Sequence, residues 1–199
     1  MYRDPTQSNR IKVKAACCLT CLLTLTLCAN ADEQYYSGGT GEPNDPFQIA
    51  APEDLNDIAN HEEHLDKHFI LTNDIDLREC TCMLFNVIGD SISPFKGVFD
   101  GNHHTISHLV YDSNFAEDIG IFGWVDDSNA AIKYLGIVRA DVNVGFGSNA
   151  GALVGNLQDG TVTGCWVEDS NVSGSRNIGG LVGESQDGNI FGSFSTAHV

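Results

Sequence analysis

The sequence predicts an all-β chain, a parallel β-helix or solenoid preceded by a short capping helix. Three observations carry that prediction. First, two heptapeptides recur almost unchanged twenty-eight residues apart, Asn149-Ala150-Gly151-Ala152-Leu153-Val154-Gly155 and Asn177-Ile178-Gly179-Gly180-Leu181-Val182-Gly183. Second, the register holds downstream: Gln158-Asp159-Gly160 meets Gln186-Asp187-Gly188, Val162 meets Ile190, Gly164 meets Gly192 and Trp166 meets Phe194. Third, Gly, Asn, Asp and Ser cut each period into β-prone pieces of about four to six residues, with none of the long amphipathic segments that helical repeats require.

The opening stretch, residues 1–31, reads as a signal peptide. Arg3, Arg10, Lys12 and Lys14 precede an apolar run from Ala15 to Leu27, and Ala29-Asn30-Ala31 offers small residues for cleavage before Asp32. A membrane anchor is the competing reading, but such a run rises only about 20 Å as a helix against a hydrocarbon layer of roughly 30 Å. A lipoprotein would use Cys28, yet Leu27 stands where a small residue is wanted. The mature chain contains no candidate transmembrane segment.

The whole chain of 199 residues has ten basic and twenty-seven acidic residues, a formal charge of −17. Removing the leader leaves six basic and twenty-six acidic residues, a formal charge of −20. Nucleic-acid binding draws its affinity from Lys and Arg, so DNA and RNA are poor partners for this surface. Twenty-one glycines occur without a Gly-X-Y triplet, which excludes collagen. Four of the seven cysteines belong to the leader, leaving Cys80, Cys82 and Cys165. Three cysteines make neither a disulfide framework nor a four-ligand zinc site, and packed or surface thiols are expected.

Residues 32–68 are expected to form an N-terminal loop and the capping helix. Tyr35 to Pro46 is rich in turn formers, Pro52 suits a first helical position, and Glu53 and Asp54 suit the positive helix end. Leu55, Ile58 and Leu65 supply its apolar side, whereas Ala51 is a poor N-cap. From Phe69 the pattern turns to strand, and residues 69–199 are assigned to the solenoid, with a break partway through a coil at Val199.

Coils stacked at about 4.8 Å bring residues of equal phase into columns. Ile106, Ile132, Val162 and Ile190 are expected to form one, and Ile121, Leu153 and Leu181 another, with Phe122, Val154 and Val182 beside a corner. Glycines 120, 123, 151, 155, 179, 180 and 183 are expected at tight corners, some at positive φ.

In these segments the chain resembles the GLUG-type repeat family, whose Gly-Leu-apolar-Gly core stands here as Gly180-Leu181-Val182-Gly183. Variants are Ala152-Leu153-Val154-Gly155, where Ala152 departs from the first glycine, and Gly120-Ile121-Phe122-Gly123. The lead-in Phe99-Asp100-Gly101-Asn102 followed by Thr105-Ile106 is similar as well, so the likeness covers about residues 95–199. It implies a right-handed β-helix on an exported or cell-surface protein, often large, sometimes adhesive and sometimes joined to a metallopeptidase domain.

Several constellations invite a chemical reading. His61, His64 and His68 could share a helix face, but their spacing is not the His-Glu-x-x-His of a zinc peptidase. His103, His104 and His108 follow a turn, where exposure or hydrogen bonding is commoner than ligation. Asp74 with Asp76 and Asp126 with Asp127 are candidate acid and base pairs of a polysaccharide hydrolase or lyase, or calcium ligands, although cations to hold an acidic sugar are scarce. Tyr35, Tyr36, Trp124 and Trp166 could stack on sugar, Trp166 being more simply a ladder residue opposite Phe194. The sequence therefore predicts a secreted or surface-displayed, non-enzymatic module with no catalytic, cofactor or metal residue, structural or adhesive in role, meeting glycan or protein surfaces. Polysaccharide degradation, or service as a spacer in a larger surface protein, is the alternative, and bound calcium has no specific motif behind it.

Overall fold

A computed structural model of the protein describes residues 35–79 and 85–199. The expected leader, Cys80 and Cys82 lie outside the described residues. Strands of two to four residues build a parallel β-solenoid of about four turns, with a single α-helix, α1, at Pro52–Ile58.

Successive segments of each coil add to five parallel sheets. Sheet I stacks Phe47–Ile49, His68–Leu71, Val98–Asp100, Ala131–Lys133, Thr161–Thr163 and Asn189–Phe191. Sheet II stacks Ile75–Asp76, Thr105–Ser107, Gly136–Val138, Trp166–Glu168 and Phe194–Ser195. Sheet III holds Val110–Asp112, Asp141–Asn143 and Asn171–Ser173; sheet IV holds Glu117–Ile119, Ser148–Gly151 and Arg176–Gly179. Sheet V, Phe122–Val125, Val154–Leu157 and Val182–Ser185, returns the chain to sheet I.

The strand Phe47–Ile49, within the segment expected to hold only loop and helix, pairs with Phe69–Leu71 and opens sheet I before α1. The helix starts at Pro52 as expected. Asp54 compensates for the weak cap at Ala51 by accepting from the amides of Ala50 and Ala51 (2.9 and 3.2 Å) and from Ser37 Oγ (2.6 Å). Leu55, Ile58 and Leu65 are buried, Leu65 from beyond the short 3-10 turn Glu62–His64.

Inside the shaft the columns are real, with one misplaced member. Phe69, Phe99, Ile132, Val162 and Ile190 stand in register in sheet I. Ile106 belongs instead to sheet II, with Ile75, Ile137 and Val167. The reason is that a column keeps burial and phase while its residue type changes. Phenyl rings fill the first coils, where Phe95, Phe99 and Phe122 pack at 4.9 to 5.3 Å between centroids, and aliphatic side chains fill the later ones. Matching Ile to Ile therefore overlooked Phe99. The column Phe122–Val154–Val182 lies in sheet V, and Ile121, Leu153 and Leu181 are all buried beside it.

The motif glycines also require correction. None of the seven has positive φ; left-handed corners fall instead on Asp118, Asn149 and Asn177 (φ 58°, 56° and 53°), on His108, Arg139 and Asp169 (61°, 56° and 50°), and on Tyr134, Gly164 and Gly192 (53°, 62° and 54°). A β-carbon costs roughly 1–2 kcal/mol in this conformation. The stack compensates by keeping these amides bonded as the chain bends. His108 N donates to Val138 O at 3.0 Å, Arg139 N to Glu168 O at 3.1 Å and Tyr134 N to Thr163 O at 2.9 Å. The motif glycines serve space instead. A Cβ on Gly155 would strike the backbone of Asp118 and Ile119 one coil below, and a Cβ on Gly183 would lie 2.5 Å from Ala150 N.

Gly155→Ala is therefore expected to cost roughly 1–3 kcal/mol of stability, as overpacking does, whereas Asp187→Ser at an exposed corner should stay within about 0.5 kcal/mol. Urea denaturation of the two variants checks this; equal midpoints would refute the steric account.

Candidate functional site

The outward face of sheet III carries the candidate site. Alternation along its strands buries Val142 and Val172 and turns Val110, Asp112, Asp141, Asn143, Asn171 and Ser173 outward. Asn143 Nδ2 donates to Asp112 Oδ1 at 2.8 Å and Ser173 Oγ to Asn143 Oδ1 at 3.2 Å, tying three coils together across their outer surface. A shallow cleft of about 450 Å³ runs along this face between Val110, Tyr111, Asp112, Asp141, Asn143 and Ser173. Three residues beyond Asp112 and Asn143, at the corner leading to sheet IV, stand Phe115 and Phe146. They are 77% and 79% exposed, with ring centroids 5.8 Å apart and planes within 26°.

Tyr111 also lines a second cleft of about 450 Å³, bounded by Asn86, Asp90, Ser91, Glu117 and Asp118. Asp118 is the unusual group in it. Burial pushes its carboxyl above the ordinary carboxylate value, hydrogen bonds from Asn149 and Asn156 oppose the shift, and Glu117 and Glu184 add to it. Asn149 Nδ2 donates to Asp118 Oδ1 at 2.8 Å and Asn177 Nδ2 to Asn149 Oδ1 at 2.9 Å, so the left-handed corner residues form an amide ladder with a carboxylate at its foot. Asn156, 4% exposed, offers Nδ2 to the same Asp118 oxygen at 3.5 Å, while its buried Oδ1 has no partner. Sequence reasoning missed Asp118, although the likeness of Asp118-Ile119-Gly120 to Asn177-Ile178-Gly179, one residue out of step with the motif that follows, was a usable signal.

The candidates named from sequence serve structural ends. Asp74 Oδ1 accepts from Thr105 N at 2.8 Å and lies 3.2 Å from His104 Nδ1; Asp76 Oδ1 lies 3.0 Å from His108 Nδ1. Arg78 binds Asp76 through Nε and Nη2 and, with the His108 charge, holds it well below the usual carboxylate range, while the Thr105 amide lowers Asp74. Both contact the following coil, Asp74 through Thr105 and His104 and Asp76 through His108. Asp127 Oδ1 closes a turn with Asn129 N at 2.8 Å, and Asp126 N donates to Phe95 O at 3.2 Å. Trp166 pairs in register with Phe194, and Trp124 with Asn156. His103 stacks on Tyr134 at 5.1 Å.

His61, His64 and His68 do not share a helix face, because α1 ends at Ile58, His64 closes the 3-10 turn and His68 begins a strand. His61 and His64 pack instead against Tyr35, at 4.1 and 5.5 Å, and Tyr36 Oη lies 3.0 Å from His64 Nδ1. Burial lowers the proton affinity of His64 and, with Asp57, Glu63 and Asp54, raises the Tyr36 phenol. Cys165 is a free buried thiol, pushed up to about 11 by burial. Among the described residues no group of three His, Cys, Asp or Glu is placed to hold a metal ion, and no helix is long and apolar enough to cross a membrane.

This is a parallel solenoid with polar rows on its outer face, and its sequence is similar to parts of two longer curated proteins. The chain matches no protein-family profile. It is 30% identical over 141 residues to halomucin of Haloquadratum walsbyi, covering 63% of this chain and 2% of that protein. It is 29% identical over 133 residues to a provisionally named Gly-rich membrane protein of Evansella cellulosilytica, covering 63% of this chain and 15% of that protein. The chain thus spans a small part of the curated relatives it matches. A solved structure of a candidate immunoglobulin A1 protease from Bacteroides ovatus superposes with a TM-score of 0.56 at 17% identity, over 82% of this chain and 50% of that one, which reports the shared fold.

Two titrations follow from this geometry. Since the folded Asp118 holds its proton more tightly than the unfolded chain does, its contribution is best below the unfolded value near 3.8 and is lost as pH rises through the folded one. Asp118→Asn, which extends the amide ladder, should therefore raise Tm at neutral pH, with the gap to the parent closing on acidification; a lower Tm at neutral pH would refute this. For His64 the sign is opposite. Its folded affinity lies below the ordinary 6.5, so stability is lost as pH falls from there to the folded value. His64→Gln should lose less stability than the parent between about pH 7 and pH 5, and matching thermal profiles would count against the cap as the acid-sensitive element.

Proposed function

We propose that the chain is an exported, non-enzymatic GLUG-type solenoid module that acts at a cell surface through its outer face, as an adhesive or structural element needing no cofactor. The observation that carries this reading is the stacked, solvent-facing pair Phe115–Phe146 beside the polar rows of sheet III. Folding does not require two phenyl rings in water, and clustered exposed apolar groups mark interaction sites. The printed names of the relatives, a halomucin and a Gly-rich membrane protein, support a surface setting. The Bacteroides ovatus neighbour supports the related reading of a spacer within a larger protein, since this fold covers half of a candidate protease.

One observation favours an enzymatic alternative. Asp118, with its raised carboxyl, and Glu117 line the same cleft, the arrangement from which a polysaccharide hydrolase draws its acid. Its bond with Asn149 supports the ladder role over catalysis. Incubation with a panel of immobilised glycans and surface proteins separates the two. Binding without product release, lost in Phe115→Ser/Phe146→Ser, is expected. Release of saccharides that Asp118→Asn abolishes would establish the alternative and overturn the non-enzymatic reading.

A further inference from the structure

Phe115 and Phe146 present benzyl faces without a hydroxyl or an indole N–H, so they offer a partner π-surface and apolar area only. Three carboxylates, Asp112, Asp141 and Glu117, stand around them against one cation, Arg176, which lies opposite Ser148 in the next coil. Asp112 and Asp141 line the adjoining cleft, which contains no basic side chain, and Glu117 follows Phe115 by two residues on the opposite side. Ser148 Oγ contacts Glu117 Oε1 at 3.4 Å, and Asn143 contacts Asp112, so hydroxyl and amide neighbours orient these carboxylates without neutralising them. The whole chain carries −17.

Charge decides among the possible occupants. A second copy would set these carboxylates against their own kind, as would an anionic lipid surface. A neutral glycan could stack on the rings but would leave the carboxylates unanswered. A guanidinium group meets both demands, because its plane stacks on an aromatic face while its N–H donors reach a carboxylate. We propose that Phe115 and Phe146, with Asp112 and Asp141, form a docking surface for an arginine-rich segment of a protein partner. This inference rests on the binding role proposed above and names the partner class.

Stacking sets the form of the recognition. Equivalent positions in neighbouring coils lie about 4.8 Å apart. The rings repeat from the first coil to the second, whereas the carboxylates fall at different phases, Asp112 opposite Asn143 and Asp141 opposite Val110. In the third coil Gly174 follows the strand Asn171–Ser173 and Arg176 stands opposite Ser148, so the ring pair spans two coils and a cation bounds it there. The surface is therefore local to a few arginines and does not extend along the whole solenoid.

The test uses the full chain and a fluorescent Arg-Gly repeat peptide, followed by anisotropy. Binding that weakens with salt, and that exceeds binding of the Lys-Gly peptide, is expected. Phe115→Ala/Phe146→Ala and, separately, Asp112→Asn/Asp141→Asn should each weaken it by about tenfold or more, the scale of an interface hot spot. The charge-matched control Asp126→Asn/Asp187→Asn should change it by less than about twofold. All these side chains are on the surface, and thermal unfolding of each variant verifies that the fold is retained. Equal losses in the control, or unchanged affinity without the phenyl rings, would overturn the proposal. If the peptide does not bind while glycans bind through Phe115 and Phe146, the arginine assignment falls and the adhesive reading stands. If neither binds, both fall.

Discussion

Coil-on-coil coverage is the constraint on which the structure depends. A single coil has too little interior to offset the ordering of its backbone, which costs roughly 1–2 kcal/mol per residue against roughly 1.5–3 kcal/mol for each buried large aliphatic side chain. Coverage comes only from the coil above or below. Val162 in sheet I is wholly buried, whereas Ile190 in the outermost strand of the same column is 43% exposed. Phe191 and Phe194 in that coil are exposed as well. At the other end, the Tyr36, Phe47, His64 and Phe69 cluster closes the shaft beside α1.

The same constraint explains the corners. Five short sheets per coil demand frequent changes of direction, and every change threatens a backbone hydrogen bond that must be kept. The stack resolves this by placing the same bend at the same phase in successive coils, so the amide of a left-handed residue still meets a carbonyl of its neighbour. Asn and Asp suit such positions because they tolerate the conformation and extend polar side chains along the axis. At sheet IV these side chains bond to one another, and a conformational requirement becomes an external polar row. Asp118 departs from that row in carrying a carboxyl, whose proton affinity burial raises.

Architecture was legible in the sequence because stacking forces equal phase to become equal environment, and the heptapeptides display that phase openly. The pairings Trp166–Phe194 and Val162–Ile190 follow directly from it. Legibility faded where phase is kept but residue type is not: Phe99 occupies the column assigned to Ile106, since a phenyl ring and a branched aliphatic side chain fill the same space in differently crowded coils. The motif glycines were recognised as necessary for the wrong reason. Contact between non-adjacent strands, as between Gly155 and the backbone of Asp118, is a three-dimensional fact that spacing does not encode. The candidate surface was overlooked although Phe115 and Phe146 recur at the spacing that separates Asp112 from Asn143, because the glycine motif drew the comparison to other positions.

Inward positions are held by coverage, and left-handed corners by hydrogen bonding, so neither is free to vary without loss of stability. Outward strand side chains answer to neither demand, and neither do the Phe115 and Phe146 side chains, although the backbone beside them is held by the left-handed Gly145 and by Phe146 N donating to Asn114 O at 2.9 Å. Changes there alter what the surface offers while the shaft stays the same, which is why Asp112 and Asn143 can differ in charge at one phase and still bond to each other. It also explains why Phe115 and Phe146 can face water without disturbing Val142 or Val172 beneath them. Function in this protein is expected to reside in differences between coils, superimposed on a scaffold whose stability resides in their likeness.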